Sequence, residues 1–431
     1  MRSSRITSSS GNAPLKKHAL FIVENEGIPN DTRVWEEAKV AKSWGWDVSI
    51  ISPRDDGARE AWERIEDIDV HRHPEPPRNF FLRYLAALFW EFVLACRIYV
   101  RKPFHVIHVA SPPDTLFLVG YIFRLVGVKF IFDVHDLSPE LAVAKFGRSR
   151  FLTYRLFVLL ERRSVKLADA VIVTNETYRG KIATRHGLSP DKIYVVRNDV
   201  TTLPSDVQAH LGDLSAHRKL VLLYLGHINR QDGIDTLIRA LRVLVREFHE
   251  DRFVCIVVGK GESLPGAKHL AAELEMSPFI EFKGYEPDRN RVQEYLSRAD
   301  IGVEPAPDNE INRCSTFVKV LELMGAGKPI VAFDLPETRV SAGEAALYVP
   351  PDDVRGFASA LKRLIDSPQL RETMGRVGRQ RVLNHLNWSH SALKLKEAYD
   401  SVFPTVPTGA SRYPGSDNDI EYSPVQGIRN S

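Results

Sequence analysis

The sequence contains little cysteine and no strong excess of charge of either sign. Its 431 residues include three cysteines, Cys96, Cys255 and Cys314, which lie far apart and match no metal-binding spacing. No disulfide framework is therefore expected, and a reducing compartment is favoured. Lysine and arginine total 58 against 55 acidic residues, a net charge of +3. A dedicated nucleic-acid-binding domain is usually strongly basic, so no nucleic-acid partner is expected.

Long hydrophobic runs are also absent. The basic, serine-rich segment 1–17 is followed by an apolar run, Ala19–Val23, that is shorter than the centre of a signal peptide. The longest apolar stretch, Tyr84–Cys96, contains Glu91 and falls short of the ~20 residues that a membrane span needs. These features predict a cytoplasmic protein that does not cross a membrane. Segments 1–17 and 404–431 are predicted to be disordered tails.

The sequence does contain a repeated alternation of short β-branched segments with amphipathic helical segments. Strands that are apolar on both faces and alternate with helices form parallel sheets covered on both sides. We therefore predict an α/β fold with two doubly wound, Rossmann-like domains that face each other across a cleft. The first domain is expected at 18–205, completed by a C-terminal helix at 388–403, and the second at 206–387. The predicted strands begin near residues 18, 47, 106, 129, 170, 193, 220, 253, 279, 299, 329 and 346.

The segment Ser315–Asp334 carries the strongest functional signal. Ser315 or Thr316 is predicted to cap a helix on which Lys319 and Glu322 follow at intervals of three residues. A helix N-terminus with a lysine one turn in can bind a diphosphate, and Glu322 can accept hydrogen bonds from ribose hydroxyls. The alternative is a capped amphipathic helix on which Lys319 and Glu322 form an exposed ion pair. The segment alone favours neither interpretation.

Together with several other segments, this helix resembles the nucleotide-sugar-binding signature of the retaining glycosyltransferases of family 4, which have the GT-B fold. The resemblance extends from about His18 to Phe403. It implies a metal-independent hexosyltransferase without a cofactor, of the type that builds exopolysaccharide or lipopolysaccharide. The matching strings, in order, are VIHVASPPDT, FIFDVHDLSPEL, DAVIVTNETYRGKIATRHGLSPDKIYVVRNDV, LLYLGHINRQDGIDTLIRAL, CIVVGKGE and STFVKVLELMGAGKPIVAFD.

The resemblance assigns a donor-binding role to Glu322, which matches the second glutamate of the family's paired-glutamate motif and would hold the donor's ribose. The first glutamate of that motif would lie eight positions earlier, where this chain has Cys314, so its role is not assigned here. The other residues that would bind the donor are Gly226, Gly259, Ser315 and Thr316.

The loop after the first strand of the second domain departs from the family pattern. His227 and Asp232 stand where arginine and lysine are usual. Because a departing diphosphate needs fixed positive charge, we hypothesise that Arg230 substitutes for the missing cations, together with Lys319. Both residues are therefore predicted to be catalytic.

In the first domain, the string FDVHDLSPEL places His135 directly after a buried strand. The resemblance matches His135 to the family's cleft histidine, which contacts the transferred sugar, and so predicts a catalytic role. The alternative is a histidine that satisfies a loop carbonyl. Asp133 is expected to point elsewhere, and a D-x-x-D string formed with Asp136 is weak evidence for a metal site. No metal is expected.

The loop after the first strand contributes two predicted acceptor-side residues, Gly27 and Arg33. Gly27 is the loop's glycine, and the family often has glycines here where the backbone approaches its ligands. Arg33 could meet an anionic acceptor. Its alternative role is a surface salt bridge to Glu36 or Glu37.

Two segments of the first domain, Pro77–Pro103 and Lys145–Lys166, combine bulky apolar side chains with twelve cations and two acids. This composition is typical of helices that bind the membrane interface. The alternative is that the apolar residues pack the core while the arginines are solvated. We expect peripheral binding to an anionic membrane, at the inner face of the cytoplasmic membrane.

The leading hypothesis is a retaining glycosyltransferase that moves a sugar from a nucleoside-diphosphate sugar, expected to be a UDP-sugar, to a glycan or lipid-linked glycan. A sugar-nucleotide epimerase or phosphorylase of the same fold is the enzymatic alternative. The alternative from outside the enzymes is a non-catalytic relative that binds a nucleotide sugar. The departures from the family pattern at Cys314 and Asp232 leave this alternative open. A Rossmann dehydrogenase is disfavoured because VGKGE lacks the third glycine of the dinucleotide fingerprint.

Overall fold

The computed structural model describes residues 16–54, 60–74, 80–146, 151–198, 200 and 219–404, and these form two α/β domains built on separate sheets. The predicted tails lie outside the described residues except for 16–17 and 404. Parts of the two predicted basic segments, 77–79 and 147–150, also lie outside them.

The first sheet has eight strands in the order β3-β4-β2-β1-β5-β6-β7-β8. Every neighbouring pair is parallel except β3 and β4. The burial of β1, β2, β5, β6 and β7 on both faces explains why the sequence predicts them as apolar runs. The strands are β1 (His18–Ile22), β2 (Asp47–Pro53), β3 (Trp62–Ile65), β4 (Ile68–His73), β5 (Val106–Ser111), β6 (Lys129–Val134), β7 (Ala170–Val173) and β8 (Ile193–Val195).

The antiparallel hairpin β3–β4 was not predicted. Charged and polar residues interrupt both strands, WERI and IDVHRH, and β3 is exposed at the edge of the sheet, so no continuous apolar run marks the hairpin. The turn places Glu66 and Asp67 at φ of 48° and 63°, as a two-residue hairpin turn of type I′ requires.

Helices cover both faces of the first sheet. A long helix, α2, follows β4, and α3 follows β5 through one 3₁₀ turn. The helices of this domain are α1 (Thr32–Ser43), α2 (Phe80–Arg101), α3 (Phe117–Arg124), α4 (Ser138–Phe146), α5 (Phe151–Leu167) and α6 (Glu176–His186).

The second sheet is parallel throughout, in the order β11-β10-β9-β12-β13-β14. The prediction of two doubly wound parallel-sheet domains is confirmed. The strands are β9 (Leu220–Leu225), β10 (Phe253–Val258), β11 (Ile280–Gly284), β12 (Ile301–Glu304), β13 (Ile330–Phe333) and β14 (Ala346–Val349). The helices are α7 (Ile234–Arg246), α8 (Leu264–Glu273), α9 (Arg289–Arg298), α10 (Val318–Gly325), α11 (Pro336–Ala342), α12 (Val354–Asp366) and α13 (Pro368–His385).

The last helix, α14 (Trp388–Val402), returns to the first domain. It packs beside β7 and β8, and its Leu395 and Tyr399 are buried in a core that includes Trp44 and Trp46. The ring of Tyr399 lies 5.1 Å from that of Trp44 and 5.4 Å from that of Trp46. The C-terminal helix thus covers part of the first sheet.

Direct contacts join the two domains near the start of α6. The side chain of Asn175 caps α6 by accepting from the Tyr178 N–H, 2.8 Å away. Its amide group also donates to the Cys314 carbonyl at 2.7 Å and to the Thr316 hydroxyl at 3.1 Å. One residue therefore ties the first domain to the loop that precedes α10.

Within the described ranges of the chain, no helix has the length and apolar character that crossing a bilayer requires.

Candidate functional site

Two glycines allow the backbone segments that follow β9 and β10 to come into close contact. Gly226 and Gly259 have φ of 126° and 153°, a region that side chains other than glycine rarely adopt. A Cβ atom at Gly259 would lie 1.7 Å from the carbonyl oxygen of Gly226. Only glycine therefore fits at Gly259, and the loops present bare backbone at the sheet edge where doubly wound folds bind ligands.

Lys319 lies beside this backbone, in the first turn of α10. A Cβ atom at Gly226 would lie 3.6 Å from the Lys319 side chain. The Lys319 ammonium is 3.0 Å from a Glu304 carboxylate oxygen and 3.2 Å from the Tyr224 hydroxyl, and it sits 4.4 Å from the centre of the Tyr224 ring. Both members of the ion pair are buried. Lys319 is thus a fixed cation and not a mobile surface lysine.

The attraction between Lys319 and Glu304 offsets part of the free-energy cost of burying the two charges. Burial alone would lower the pKa of Lys319, but the Glu304 carboxylate keeps it above its ordinary value. Burial raises the pKa of Glu304, and the charge of Lys319 opposes that shift. Glu304 was not among the predicted site residues. The feature of the sequence that could have identified it is a charged residue at the end of the otherwise apolar strand β12.

The start of α10 differs from the prediction. The helix begins at Val318, and its N-cap is Phe317, whose side chain makes no cap hydrogen bond. The Ser315 hydroxyl donates to the Ile311 carbonyl at 2.9 Å, and the Thr316 hydroxyl accepts from Asn175. The prediction that Ser315 or Thr316 caps this helix was wrong, because both hydroxyls are used in the preceding loop and across the domain boundary.

Glu322 lies one turn after Lys319 on α10. Its carboxylate accepts from the exposed Arg289 guanidinium at 2.9 Å, so the alternative surface pair of Lys319 with Glu322 does not form. Glu322 lines a cavity of about 210 Å³ between the domains. The first-domain side of this cavity includes Asn30, Asp31, Thr32 and Arg33.

Arg230 lies in a 3₁₀ turn after β9 and is exposed. It lines a separate interdomain cavity whose walls include Glu140 and Pro307–Ile311. Asp232 accepts from the Asn229 backbone N–H at 2.9 Å and so caps the same turn. The structure therefore brings Lys319, but not Arg230, into contact with the glycine loops.

Cys314 is buried at the domain boundary. Its carbonyl oxygen accepts from Asn175, and the residue packs with the first-domain core. The position eight residues before Glu322 thus makes a contact between the domains.

In the first domain, His135 follows β6 and its ring is half-buried. Its Nε2 lies 2.8 Å from an oxygen of Asp133, a carboxylate that is fully buried. Burial alone would raise the pKa of Asp133, but Arg33 and His135 hold it well below its ordinary value. The Asp133 side chain lies behind the cleft and pairs there with Arg33 and His135, and this pairing was not predicted.

Arg33 is buried, with its guanidinium surrounded by acceptors. It donates to the two oxygens of Asp133 at 2.9 and 3.0 Å, to the Val196 carbonyl at 2.8 Å and to Asn198 at 2.7 Å. Glu37 lies 3.2 Å from the same group. Hydrogen bonds thus use four of the five N–H donors of this arginine, and the contact with Glu37 is an ion pair. Arg33 does pair with Glu37, but inside the domain and not at its surface.

Glu37, Asp133 and His135 also offer ligand atoms within 4.8 Å of one another, close enough to surround a cation. The Arg33 guanidinium already contacts both carboxylates. The Arg33 guanidinium therefore supplies positive charge to the two carboxylates of this cluster.

Gly27 shapes the loop before α1. It is buried, and its carbonyl accepts from the Asp31 N–H at 3.1 Å. Asp31 then caps α1 by accepting from the Val34 N–H at 3.0 Å. The loop places its polar residues on the cavity that Glu322 lines.

Comparison with known proteins gives matches in both domains. Residues 31–199 match the family described as "Glycosyl transferase 4-like domain", and residues 219–367 match "Glycosyl transferases group 1". Together these matches cover most of the chain.

Among curated proteins, the chain is similar to the alpha-maltose-1-phosphate synthase of Mycolicibacterium smegmatis, with 25% identity over 66% of this chain and 76% of that protein. It is also similar to the D-inositol 3-phosphate glycosyltransferase of Thermobispora bispora, with 26% identity over 59% of this chain. The second match spans 62% of that protein, less than two thirds of its length.

Solved structures show the same fold. Sucrose-phosphate synthase from Thermosynechococcus elongatus superposes with a TM-score of 0.73 and 20% identity, over 90% of this chain and 99% of that one. Anabaena Alr3699/HepE, solved in complex with UDP and glucose, gives a TM-score of 0.68 and 16% identity over 89% and 100%. The chain belongs to the group 1, family 4-type glycosyltransferases of GT-B fold.

Proposed function

We propose that the protein transfers a sugar from a UDP-sugar to a glycan or lipid-linked glycan in cell-surface polysaccharide synthesis, with retention of configuration and without a metal ion. The observation that carries this proposal is the fixed Lys319 ammonium beside the glycine loops of β9 and β10. A buried, immobile cation over bare backbone suits the diphosphate of a nucleotide sugar. Structures of HepE with UDP and with UDP-glucose support a UDP donor.

In this proposal the donor lies along the carboxyl edge of the second sheet. The diphosphate contacts the backbone at Gly226 and Gly259, and Lys319 stabilises the charge that develops as it leaves. Ser315 and Thr316 border the same end of α10. Arg230, further along the loop after β9, adds positive charge from the neighbouring turn. Catalysis then needs no protein nucleophile: the acceptor hydroxyl forms its bond to the anomeric carbon from the face that the diphosphate leaves, and the departing phosphate oxygen takes the hydroxyl proton.

Glu322 and His135 hold the two ends of the donor in this arrangement. Glu322 accepts from the ribose hydroxyls once its contact with the exposed Arg289 is exchanged for the ligand. His135 approaches the transferred sugar from the first domain. Gly27, in the loop after β1, borders the acceptor side. For Arg33, which is buried and hydrogen-bonded to Asp133, Val196 and Asn198, we propose a structural role in place of direct acceptor binding.

Substituting Glu322 with glutamine tests the donor site. We expect UDP and UDP-sugars to bind about 10- to 100-fold more weakly, because hydrogen bonds to a charged group contribute about 1.5–3 kcal/mol. Calorimetric titration measures the dissociation constant, and a product assay should detect free UDP with an elongated acceptor. An epimerase would instead convert the donor without an acceptor.

The matched control is Glu344→Gln, an exposed glutamate in the 3₁₀ turn before β14. This variant should bind the donor as the wild-type protein does. Unchanged donor affinity in Glu322→Gln would remove Glu322 from the site. Tight UDP binding with no transfer to any acceptor would favour a non-catalytic relative.

We further propose that the first domain binds the surface of anionic membranes. Helices α2 and α3 form an apolar groove lined by Leu85, Leu88, Phe89, Phe92, Leu118, Val119 and Ile122, four of which are exposed. Exposed apolar surface of this kind is typical of interaction sites. The contribution of α3 was not predicted from the sequence.

The charges of the two basic segments support a membrane as the partner of this domain. The only two acids of the basic segments, Glu91 and Glu161, are buried. Burial raises the pKa of Glu91 to about 8, and Glu161 pairs inward with Arg185 at 2.7 Å. Arg97 and Arg101 are exposed on α2, and α5 exposes four more cations, Arg155, Arg162, Arg163 and Lys166. The charges that reach solvent from the described parts of both segments are therefore positive.

Reversing the charge at Arg97 and Arg101 to glutamate tests this proposal. Each cation near an anionic surface contributes about 1 kcal/mol, so partitioning onto phosphatidylserine-containing vesicles should fall at least about 30-fold. Co-sedimentation measures the bound fraction. Reversal of Arg239 and Arg242, exposed on α7 of the second domain, should leave binding unchanged. Wild-type protein that ignores such vesicles at low salt would contradict the proposal.

A further inference from the structure

A buried polar network lies behind His135 and extends to the C-terminal helix. Asp133 is at its centre, bonded to His135 and, through two hydrogen bonds, to Arg33. His108 Nε2 lies 3.7 Å from the same carboxylate, and its Nδ1 lies 3.0 Å from the Tyr399 hydroxyl of α14. This network was not predicted from the sequence, because its members come from different elements that the fold brings together.

Which ring nitrogen of a neutral His135 carries the hydrogen depends on which carboxylate of this network is charged. Arg33 makes two hydrogen bonds to Asp133 and one longer contact to Glu37, so the charge is best stabilised on Asp133. Burial and the neighbouring Asp133 hold the pKa of Glu37 well above its ordinary value. Asp133 is therefore the ionised member and Glu37 the neutral one.

An ionised carboxylate can only accept hydrogen bonds. The 2.8 Å contact between Asp133 and His135 Nε2 consequently requires a proton on Nε2. In a neutral imidazole the other nitrogen, Nδ1, is then an acceptor. Within the described part of the chain, Nδ1 of His135 has no hydrogen-bond partner, and the His135 side chain is 15% exposed. The ring thus has a free acceptor available to a ligand.

We propose that Asp133 is a positioning residue that fixes His135 as the Nε2–H tautomer, so that Nδ1 accepts a hydrogen bond from a hydroxyl of the transferred sugar. The identity of that ligand rests on the proposed function. The tautomer itself does not, because it follows from contacts within the first domain.

Nuclear magnetic resonance of protein labelled with ¹⁵N-histidine tests the tautomer without donor or acceptor. His135 is assigned by comparison with His135→Gln. We expect a protonated Nε2 whose hydrogen is protected from exchange with solvent, and an unprotonated Nδ1. Asp133→Ala should abolish the protected hydrogen. Asp114→Ala removes another buried aspartate of the same domain, one bonded to Ser138 at 2.8 Å, and should leave the His135 signals unchanged.

Two outcomes would overturn the proposal. One is a wild-type His135 with its proton on Nδ1, a result that remains readable even if Asp133→Ala does not fold. The other is a protected Nε2 hydrogen that persists in Asp133→Ala.

Kinetics connects the tautomer to catalysis. Asp133→Ala and His135→Ala should each lower kcat about tenfold, the loss of one hydrogen bond, with little change in the dissociation constant of UDP. The double variant should be no slower than His135→Ala alone, because Asp133 acts through His135. Additive losses would assign Asp133 a merely structural role. If no transfer is found at all, the proposed function fails while the resonance result still decides the tautomer.

Discussion

Replacing Lys319 with methionine is expected to lower kcat/KM for transfer by about 10²- to 10³-fold, the usual effect of removing a group that stabilises developing negative charge. Methionine preserves most of the side-chain length and the packing on Tyr224. It removes the ammonium that Glu304 and Tyr224 hold beside Gly226. Steady-state kinetics with saturating acceptor gives the effect on turnover, and calorimetry gives the accompanying loss of donor affinity.

The Glu304 carboxylate loses its partner in this variant, so a second variant separates the two effects. Lys319→Met combined with Glu304→Gln removes the whole ion pair without leaving an unpaired buried acid. It should recover stability but not turnover. Lys268→Met, at an exposed lysine on α8, is the matched control. Turnover within about threefold of wild type in Lys319→Met would show that this lysine has no catalytic role.

Arg33→Met is expected to reduce the free energy of unfolding of the first domain by about 3–5 kcal/mol, as when one partner of a buried ion pair is removed. Asp133 and Glu37 would remain buried without a cation. Urea unfolding followed by tryptophan fluorescence measures the effect. The signal reports on the first domain, because all six tryptophans lie in the sequence of that domain or in α14, at positions 35, 44, 46, 62, 90 and 388.

The same measurement has an expected dependence on pH. The pKa of Asp133 is depressed in the folded state, so its stabilising contribution is present above its unfolded pKa of about 3.9 and is lost as the pH falls towards the folded value. Arg33→Met should lose this contribution, and the difference between the two proteins should therefore shrink in acid.

An exposed ion pair provides the control for Arg33. Arg246→Met removes the partner of Glu275, in a pair whose side chains are both more than half exposed, and should cost about 0–1 kcal/mol. If Arg33→Met unfolds like the wild type and instead raises only the KM of an anionic acceptor, Arg33 is the acceptor-side residue that the sequence suggested.

The fold was largely predictable because most strands of both sheets are buried on both faces. Such strands appear as short apolar runs, and each run is separated from the next by a helix or loop, as in β9, β10, β12 and β13. The β3–β4 hairpin lies at an edge and carries Trp62, Glu63 and Arg64 on an exposed strand. Edge strands lack the continuous apolar pattern, which is why this one was missed.

Within the candidate site, the sequence alone predicted neighbouring side chains only where both lie on the same helix. Lys319 and Glu322 are three residues apart on α10, and the sequence shows that spacing directly. Their partners, Glu304 and Arg289, come from different elements. Pairing across elements depends on burial and on the arrangement of strands, which a single sequence does not specify. For the same reason the pairing of Arg33 with Asp133 was not predicted, although the two side chains are hydrogen-bonded in the fold.

The position of α14 has a consequence for how the chain folds during synthesis. The surface that Leu395 and Tyr399 cover belongs to the domain made first, but those two residues are synthesised after the entire second sheet. The second sheet draws all its strands from one continuous stretch and can therefore form while the first still lacks its covering helix. Domains generally fold in the order of their synthesis. Here the order of completion is reversed, and a nascent chain must keep Trp44 and Trp46 from non-native contacts until α14 is released.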